Sequence, residues 1–508
     1  MRPPPFVLRA AAAHFERQQR NAHANAERQQ AALLRRILRR YRDTELAAEL
    51  GVRDIQSAAQ FRREVPARST ADYLPIWNRA KAENRPGMVH PQALRYMALK
   101  TNGLNQCLPA PKEQFDAYRL FTNHCFFHAF RELNDYSLLS ENILVTSGPP
   151  LHEITDSGIT IGYGSGLATL EAPKFSRQLV RPTRPVLEIG NWQDKIRATI
   201  AESYPLDIRV LTGVPNSVVP LLEYLLEYAR EQGSTATCAR DVWPNLRIYA
   251  YSGSPVALWQ EKLRALLGPE VHFYELYSST ESPVAYQRRF GEEGLLVDLS
   301  VACFEFLPAD APRDTERLGI HQVQVGVPYD IYVTTPSGLF AYGLGDRVEF
   351  LGTAPYVLRF AGRAREEISI GIERLTLPFV RACLAEAQAA TGVAVRQFFV
   401  CPSAPDDAGL TYHWYVELEG AGSAADAQRL IADTDVRLCA GNDGYRGARR
   451  NDTVMRPPLV TRLRPGAIEG YTLRSGSFGQ SKVANLFDSR EVPERILASA
   501  RERDEVLS

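Results

Sequence analysis

The middle of the chain alternates strand-like with helix-like runs, and this alternation is the feature that most constrains the fold. Between Ile143 and Phe350, β-prone segments are separated by long amphipathic ones. The first kind includes IRVLTGV, LRIYAYSG and HFYELYSST, and the second SVVPLLEYLLEYAREQ and LWQEKLRALL. Strands that alternate with helices are typical of α/β layers. We therefore predict an α/β fold in which helices cover a mixed sheet.

The length of 508 residues exceeds what one hydrophobic core usually supports, which favours one large and one smaller domain. Beyond Phe360, GIERLTLPFVRACLAEAQAA predicts a helix, TYHWYVELEG a half-buried strand and AADAQRLIADTDVRL another helix. We predict a large nucleotide- and acyl-binding domain over residues 1–365 and a small α/β lid domain over 366–508. The segment AGRAREE between them resembles a hinge.

The first 40 residues form a predicted helical extension that is rich in arginine. Its last turns carry Leu33, Leu34, Ile37 and Leu38 at helical spacing. The arginines fit either an anchor for phosphate groups or membranes, or a solvated helix face whose apolar side docks on the body. The docked, solvated helix is the simpler interpretation.

Charge and cysteine content exclude several classes of protein. Lys plus Arg equals Asp plus Glu at 59 each, so no global field attracts nucleic acid or anionic lipid. The seven cysteines are scattered and contain no C-x-x-C pair, which argues against a disulfide scaffold or a zinc knuckle. No run of eighteen apolar residues occurs. We expect a cytoplasmic protein without nucleic-acid or membrane partners.

A short polar motif, Tyr277-Ser-Ser-Thr-Glu281, extends the predicted strand HFYEL. Open α/β sheets bind ligands at the carboxyl ends of their strands, where this turn would lie. Hydroxyl and amide groups can hold phosphate oxygens, and the Glu281 carboxylate can hold a Mg²⁺ ion that neutralises them. Taken alone, however, the motif is more simply explained as an ordinary Ser/Thr-rich turn.

A second motif, Leu339-Phe-Ala-Tyr-Gly-Leu-Gly-Asp346, closes one strand-like run and leads into RVEFLG. Its glycines permit a bend, and we predict Asp346 in that bend, where its carboxylate can accept hydrogen bonds from both hydroxyls of a ribose. Aspartates in glycine-containing turns usually serve the turn itself, so this motif is also weak by itself.

Taken together and in order, these segments resemble the Gretchen Hagen 3 family of the acyl-adenylate-forming superfamily. The resemblance extends from about Tyr41 to Lys482 and thus over nearly the whole chain. The segments that carry it are FRREVPARSTADYLPIWNRA, LTGVPNSVVPLLEYLLE, VWPNLRIYAYSGSP, FYELYSSTES, LFAYGLGDRVEF, RFAGRAREEISIGIERLT and GQSK.

The resemblance implies an acyl-acid amido synthetase with a large N-terminal domain and a mobile C-terminal lid. Such a ligase uses ATP and Mg²⁺ to convert a carboxylic acid into an acyl-adenylate. An amine, commonly an amino acid, then displaces AMP. Because a carboxylate is a poor electrophile, this chemistry depends on positioned phosphates and cations more than on a covalent catalyst.

Motif positions assign the nucleoside contacts. In the resemblance, Ser252 and Gly253 border the adenine, and Tyr277 stacks beside it. Asp346 takes the ribose. Arg363 lies in the F-x-G-R stretch that follows the ribose aspartate, near the predicted hinge.

The phosphate and acyl contacts follow in the same way. Thr280 and Glu281 face phosphate and metal, and Lys482 matches the catalytic lysine of the C-terminal loop. The segment Gly162-Tyr-Gly-Ser-Gly166 matches a family segment near the acyl site, so we assign Gly164 and Ser165 to the wall of the substrate pocket. A lone G-x-G-x-G is otherwise a weak signal for a phosphate loop.

The family's first motif, T-S-G-T-T-G followed by a lysine, cradles the β and γ phosphates. Here it stands as Thr101-Asn102-Gly103 followed by Leu-Asn-Gln, without three of the hydroxyls, one glycine and the lysine. Gly343 also stands where the family has Arg after Tyr342. These changes keep two other functions open: transfer of a preactivated acyl thioester, for example from an acyl carrier protein, and acyl binding without catalysis.

Two histidines, His124 and His128, are four positions apart on a predicted helix, as metal ligands can be. Their surroundings, FFHAF, are apolar, and no third ligand is evident nearby in the sequence. We therefore interpret both as core residues.

Overall fold

The computed structural model describes residues 4–99, 107–140, 142–252, 260–312, 315–363, 367–368, 375–403, 411–420, 422–449, 455–474, 485–487, 490–503 and 505–507. They form two compact units, and the chain passes from the first to the second between Ala361 and Gly362. Each unit has buried apolar clusters of its own. The assignment of the second unit as a mobile lid stays a prediction.

Helices of the first unit begin with two long ones in the N-terminal extension. The α-helices are α1 (Pro5–Ala24), α2 (Ala26–Tyr41), α3 (Glu45–Glu49), α4 (Ala58–Glu64), α5 (Thr70–Glu83), α6 (Lys112–Glu132), α7 (Gly164–Leu170), α8 (Lys174–Leu179), α9 (Arg184–Leu187), α10 (Trp192–Ser203), α11 (Pro215–Glu231), α12 (Ala239–Val242) and α13 (Gln260–Leu267). Short 3-10 helices cover Tyr136–Ser140 and Ile320–Gln322.

Strands of the first unit form two sheets. Their bounds are β1 (Tyr96–Leu99), β2 (Cys107–Pro109), β3 (Asn142–Val145), β4 (Glu153–Ile154), β5 (Thr160–Tyr163), β6 (Val180–Arg181), β7 (Ile208–Thr212), β8 (Ile248–Tyr251), β9 (His272–Ser278), β10 (Pro283–Gln287), β11 (Leu295–Val297), β12 (Cys303–Pro308), β13 (Leu318–Gly319), β14 (Pro328–Thr334), β15 (Tyr342–Thr353) and β16 (Tyr356–Arg363). The larger sheet has the order β13-β12-β14-β15-β16-β11-β10-β9-β8-β7-β3-β6, and the smaller one β2-β1-β5-β4.

The larger sheet is mixed, as predicted. The pairings that connect β6, β3, β7, β8 and β9 in this order are parallel. The pairings from β9 through β10 to β11 and from β12 through β14 to β15 are antiparallel. Helices α10, α11 and α13 cover the parallel part, where residues such as Ile200, Leu222 and Leu263 are fully buried. Burying apolar area in this way is the main stabilising term of such layers.

The N-terminal extension docks on the body as predicted. The α2 residues Leu33, Leu34, Ile37 and Leu38 are all buried in the main core of the first unit. Helix α1 packs against helix α6. The arginine-rich face of α2 stays outside, with Arg35, for example, exposed.

The second unit is a small α/β layer structure. Its elements are β17 (Glu367–Ile368), β18 (Leu375–Thr376), α14 (Leu377–Thr391), β19 (Val395–Pro402), β20 (Tyr412–Leu418), α15 (Ala424–Gly441), α16 (Asp443–Arg449), β21 (Leu459–Leu463), α17 (Ala467–Arg474), α18 (Glu491–Arg501) and β22 (Val506–Leu507). The sheet β19-β20-β21-β22 contributes to two apolar clusters, one shared with α14 and α15 and the other with α17 and α18. The predicted helix of this region begins only at Leu377, since the residues just before it form β18.

Among the helices that the structure describes, none combines the length and the apolar character that crossing a membrane requires.

Candidate active site

The carboxyl ends of four parallel strands lie at one edge of the larger sheet. Strands β3, β7, β8 and β9 are adjacent and share one direction. Ser252 directly follows β8, and the pairing of Tyr251 with Glu275 places it beside the end of β9. Two predicted nucleotide contacts, Ser252 and Tyr277, therefore lie on neighbouring strands at the edge where α/β sheets bind ligands.

The predicted phosphate motif lies on the turn between β9 and β10. The Ser279 amide donates to the Ser282 carbonyl at 3.0 Å. Helix α6 holds the same turn, because Gln114 Nε2 donates to the Thr280 carbonyl at 2.8 Å and the Tyr118 hydroxyl donates to the Ser279 carbonyl. Long-range bonds thus fix the backbone that carries Thr280 and Glu281.

Asp346 lies inside β15, so the predicted bend is wrong. The strand runs without interruption from Tyr342 to Thr353, and a bulge takes the place of the bend, because the register against β14 shifts between Asp330 and Tyr332. Gly345 adopts φ +76°, which L side chains rarely tolerate. A bulge re-aims the side chains it carries, and Asp346 lies within it, between the paired residues Gly343 and Arg347.

Tyr277 and Asp346 are joined by a hydrogen bond. The Tyr277 hydroxyl donates to Asp346 Oδ2 at 2.8 Å, although 69 positions separate the two residues. Asp346 is buried, with 6% of its surface exposed. The structure thus brings the residue predicted to stack on adenine together with the residue predicted to bind ribose.

Glu281 connects to the same strand. The Tyr342 hydroxyl lies 3.4 Å from Glu281 Oε1 and 2.6 Å from Thr70 Oγ1. Burial and then the negative charge of Glu281 raise the pKa of Tyr118, so that phenol stays neutral at physiological pH. Sequence reasoning did not assign roles to Thr70 or Tyr118, although Thr70 lies in a segment that carries the family resemblance.

The predicted substrate residues Gly164 and Ser165 open helix α7 beside this turn. A Cβ atom at Gly164 would lie 3.6 Å from Thr280 Cγ2. Ser165 Oγ lies 3.4 Å from the Gly148 amide nitrogen. The segment predicted to line the acyl pocket is therefore a direct neighbour of the segment predicted to bind phosphate.

Close packing against neighbouring backbone requires glycine at both ends of this segment, Gly162 and Gly166. A Cβ atom at Gly162 would overlap the Pro150 carbonyl oxygen, and one at Gly166 would overlap the Gly148 carbonyl oxygen. The loop that approaches so closely is held by the buried Lys195, whose Nζ donates to the Ser147 carbonyl at 2.7 Å. Burial lowers the pKa of Lys195 to about 8.

Other predicted site residues lie outside the described residues: Thr101, Asn102, Gly103, Gly253 and Lys482. Arg363 is the last residue of β16. The roles assigned to these six residues stay predictions.

His124 and His128 both form hydrogen-bonding contacts within the first unit. His124 Nδ1 lies 2.6 Å from Asp298 Oδ2, and His128 Nε2 lies 2.6 Å from the Arg288 carbonyl. Within the described ranges, no three His, Cys, Asp or Glu side chains are grouped to hold a metal ion.

Three family models match the chain in the order of its elements: the GH3 family N-terminal domain over residues 15–201, the central domain over 295–363 and the C-terminal domain over 379–491. The chain belongs to the GH3 family. GH3 is the Gretchen Hagen 3 family that the sequence motifs predict, so this prediction is confirmed. The three matched ranges include Gly164, Ser165, Asp346 and Arg363, whereas the turn with Thr280 and Glu281 lies between two of them.

Curated GH3 relatives come from rice. The probable indole-3-acetic acid-amido synthetase GH3.9 of Oryza sativa subsp. japonica is 25% identical over 314 residues, which cover 56% of this chain and 71% of the relative. The probable indole-3-acetic acid-amido synthetase GH3.12 of the same subspecies is 23% identical and aligns with 92% of this chain and 89% of its own length.

Solved structures confirm the predicted fold class. A GH3.15 acyl acid amido synthetase superposes with a TM-score of 0.75 at 14% identity, covering 95% of this chain and 94% of that chain. A 2-hydroxyisobutyryl-CoA ligase in the postadenylation state superposes with a TM-score of 0.52 at 13% identity, covering 94% and 93%. This GH3 chain therefore has the α/β architecture of these solved proteins.

Proposed function

We propose that this GH3 protein is an acyl-acid amido synthetase. It activates a carboxylic acid with ATP as an acyl-adenylate and transfers the acyl group to an amine such as an amino acid. The observation that carries the proposal is the bond between Tyr277 and Asp346, which joins the end of β9 to β15 at the edge where α/β sheets bind ligands. The amido synthetase names of the rice relatives support the same reaction.

Asp346 and Tyr277 form the nucleoside half of the proposed site. The Tyr277 hydroxyl orients the Asp346 carboxylate through Oδ2, and an ionised carboxylate is a suitable acceptor for a ribose diol. Burial strengthens such charge-assisted bonds because little water competes for them. Ser252 and Gly253 border the adenine in this proposal, with Tyr277 beside the ring.

Thr280 and Glu281 form the phosphate half. The Tyr342 hydroxyl lies 3.4 Å from the Glu281 carboxylate and is bonded in turn to Thr70, and oxygen ligands of this kind suit a hard cation such as Mg²⁺. When bound there, Mg²⁺ would neutralise phosphate charge as pyrophosphate departs. The proposed role of Glu281 is to hold that ion, and Lys482 is the proposed cation on the second unit.

The acyl acid is proposed to lie against Gly164 and Ser165. A Cβ atom at Gly164 would lie 3.6 Å from Thr280 Cγ2, which supports an acid carboxylate next to the phosphate half of the proposed site. That proximity is what adenylation requires, because the carboxylate oxygen must attack the α-phosphorus directly.

A second candidate function is acyl transfer from a preactivated thioester, such as one carried by an acyl carrier protein. One observation favours it. A Cβ atom at Gly343, where the family has Arg, would lie only 3.2 Å from Tyr332 Cε1, and the Gly343 amide donates to the Arg68 carbonyl at 2.9 Å. Where the family has an Arg after the tyrosine that corresponds to Tyr342, this chain has a glycine whose backbone packs closely against its neighbours.

The test incubates the full chain with ATP, Mg²⁺ and a mixture of carboxylic acids, and measures AMP and pyrophosphate. Amide synthetase activity predicts acid-dependent release of both products, with amide formed after amino acids are added. A parallel reaction supplies acyl thioesters without ATP. Amide formation in that reaction alone would favour the second function over the first.

A further inference from the structure

A cavity of about 430 Å³ lies between helices α1 and α6, against strands β10 and β11. Its volume is in the range of small-molecule sites, roughly 300–1,000 Å³. Phe15, Phe127, Tyr286 and Leu296 provide apolar walls. None of the residues of the proposed active site lines it, so this cavity (the α1–α6 cavity) is a separate feature of the first unit.

Two residues that line the α1–α6 cavity, Gln19 and His124, form a buried polar triad with Asp298 behind them. Gln19 Nε2 donates to Asp298 Oδ1 at 3.0 Å, and His124 Nδ1 lies 2.6 Å from Asp298 Oδ2. The exposed fractions are 5% for Gln19, 2% for His124 and 0% for Asp298. Since the amide nitrogen of Gln19 must face the carboxylate, its Oε1 faces elsewhere, and no described residue donates a hydrogen bond to it. An acceptor buried in this way is rare in folded proteins.

Strand β10 and the residue after it supply two further polar groups without partners. No described residue forms a hydrogen bond with the Tyr286 hydroxyl or an ion pair with the Arg288 guanidinium, and both side chains line the cavity. The backbone of Arg288 is fixed, because its carbonyl accepts from His128 Nε2 at 2.6 Å. By contrast, Arg131 at the same cavity is paired with Glu16.

We propose that the α1–α6 cavity binds a small monocarboxylic acid that has a ring-sized apolar body and a hydroxyl group. Arg288 takes the carboxylate by charge-assisted hydrogen bonds. The ring packs between the apolar walls, and the ligand hydroxyl pairs with the hydroxyl of Tyr286, a residue that lines the cavity. Convergence of a few unpaired polar groups on an apolar cavity is the usual pattern of a small-molecule site. The proposal does not depend on the ligase activity.

The test is calorimetric titration of the full chain with 4-hydroxyphenylacetate, which has all three features. Phenylacetate lacks the hydroxyl and 2-(4-hydroxyphenyl)ethanol lacks the carboxylate, so both should bind more weakly. Arg288→Gln should weaken binding of 4-hydroxyphenylacetate about tenfold or more, as expected for loss of a charged hydrogen bond. The matched control is Arg289→Gln, because Arg289 is exposed, pairs with Glu292 at 3.5 Å and does not line the cavity; this variant should bind like the parent.

A second variant separates this cavity from any other site that the probe occupies. Ala24 is exposed at the cavity rim, so Ala24→Trp should fold normally and obstruct entry. Binding to the parent that is lost in Ala24→Trp and weakened in Arg288→Gln would support the proposal. Equal affinity in the parent and both variants, or no binding of 4-hydroxyphenylacetate to the parent, would overturn it.

Discussion

Two groups of polar residues in the first unit differ in how they are built. In the turn cluster, defined as Tyr277, Thr280, Glu281, Tyr342 and Asp346, two carboxylates meet tyrosine hydroxyls at the edge of the sheet. Behind the wall of the α1–α6 cavity, the Asp298 carboxylate is fully buried and is bonded by a glutamine and a histidine. The first arrangement is the one that we propose as a ligand site, whereas the triad of the second also supports the packing of two helices.

The two groups also differ in how visible they are in the sequence. The turn cluster comes from two short motifs, each beside a strand, and motif order within the family predicts both. The cavity triad joins positions 19, 124 and 298, which no short motif links. Its only sequence signal is a pair of histidines in an apolar helix: His124 is buried as predicted, whereas His128 is only half-buried, and the buried aspartate has no signal. Long-range contacts of this kind are created by packing and leave no local pattern.

Local patterns also misjudged one backbone feature of the turn cluster. Glycines at 343 and 345 predict a bend at Asp346, but pairing with β14 keeps the strand continuous and converts the irregularity into a bulge. Gln114 and Tyr118 were missed for a related reason. Their bonds to the turn cross more than 160 positions of sequence, and only the folded helix α6 brings them there.

Removing the buried carboxylate tests the cavity side of the comparison. Asp298→Ala should lower the free energy of unfolding by roughly 3–5 kcal/mol, because it leaves buried partners without their acceptor. Denaturant unfolding measures the loss. Asp330→Ala is the matched control, since its ion pair with Arg347 at 2.9 Å is partly exposed and should matter by about 1 kcal/mol or less. Equal losses in the two variants would contradict a structural role for the triad.

Removing a carboxylate of the turn cluster should lower nucleotide affinity and leave folding normal. We expect Asp346→Ala to fold normally and to lose roughly 2–4 kcal/mol of nucleotide affinity, because charge-assisted bonds to the ribose disappear. Calorimetry with ATP measures this, and Asp298→Asn, which keeps the shape of the buried side chain, provides the comparison. An unchanged dissociation constant in Asp346→Ala would refute the ribose role.

Lys195 lies between the two cases, since it is buried but supports the loop beside Gly162 and Gly166. Its pKa of about 8 when folded is below the ordinary value of 10.5. The unfolded chain therefore binds more protons between these pH values, and stability should rise with pH. Relative to Lys195→Met, the parent should gain roughly 2–3 kcal/mol of unfolding free energy from pH 8 to pH 10.5. If denaturant titrations give the same difference in unfolding free energy between the parent and Lys195→Met across this pH range, burial does not lower the pKa of Lys195.

The smallest effect should come from one hydroxyl that positions the turn. Tyr118→Phe removes the bond to the Ser279 carbonyl, and Tyr274→Phe removes a similar bond to the Cys125 carbonyl. Both variants should lose about 1 kcal/mol of unfolding free energy. Only Tyr118→Phe should also weaken ATP binding, by a few-fold. Equal ATP affinities would mean that helix α6 does not position the turn for nucleotide.

The central claim, adenylation of a carboxylic acid at the turn cluster, has a direct isotopic test. The acid is supplied with heavy oxygen (¹⁸O) in its carboxylate, together with ATP, Mg²⁺ and an amino acid, and the AMP is analysed by mass spectrometry. If the carboxylate attacks the α-phosphorus, one of its oxygens stays on AMP when the amine displaces it, so AMP should carry one ¹⁸O and this signal should fall sharply in Asp346→Ala. Amide formed with unlabelled AMP, or formed only from a thioester without AMP, would contradict the claim.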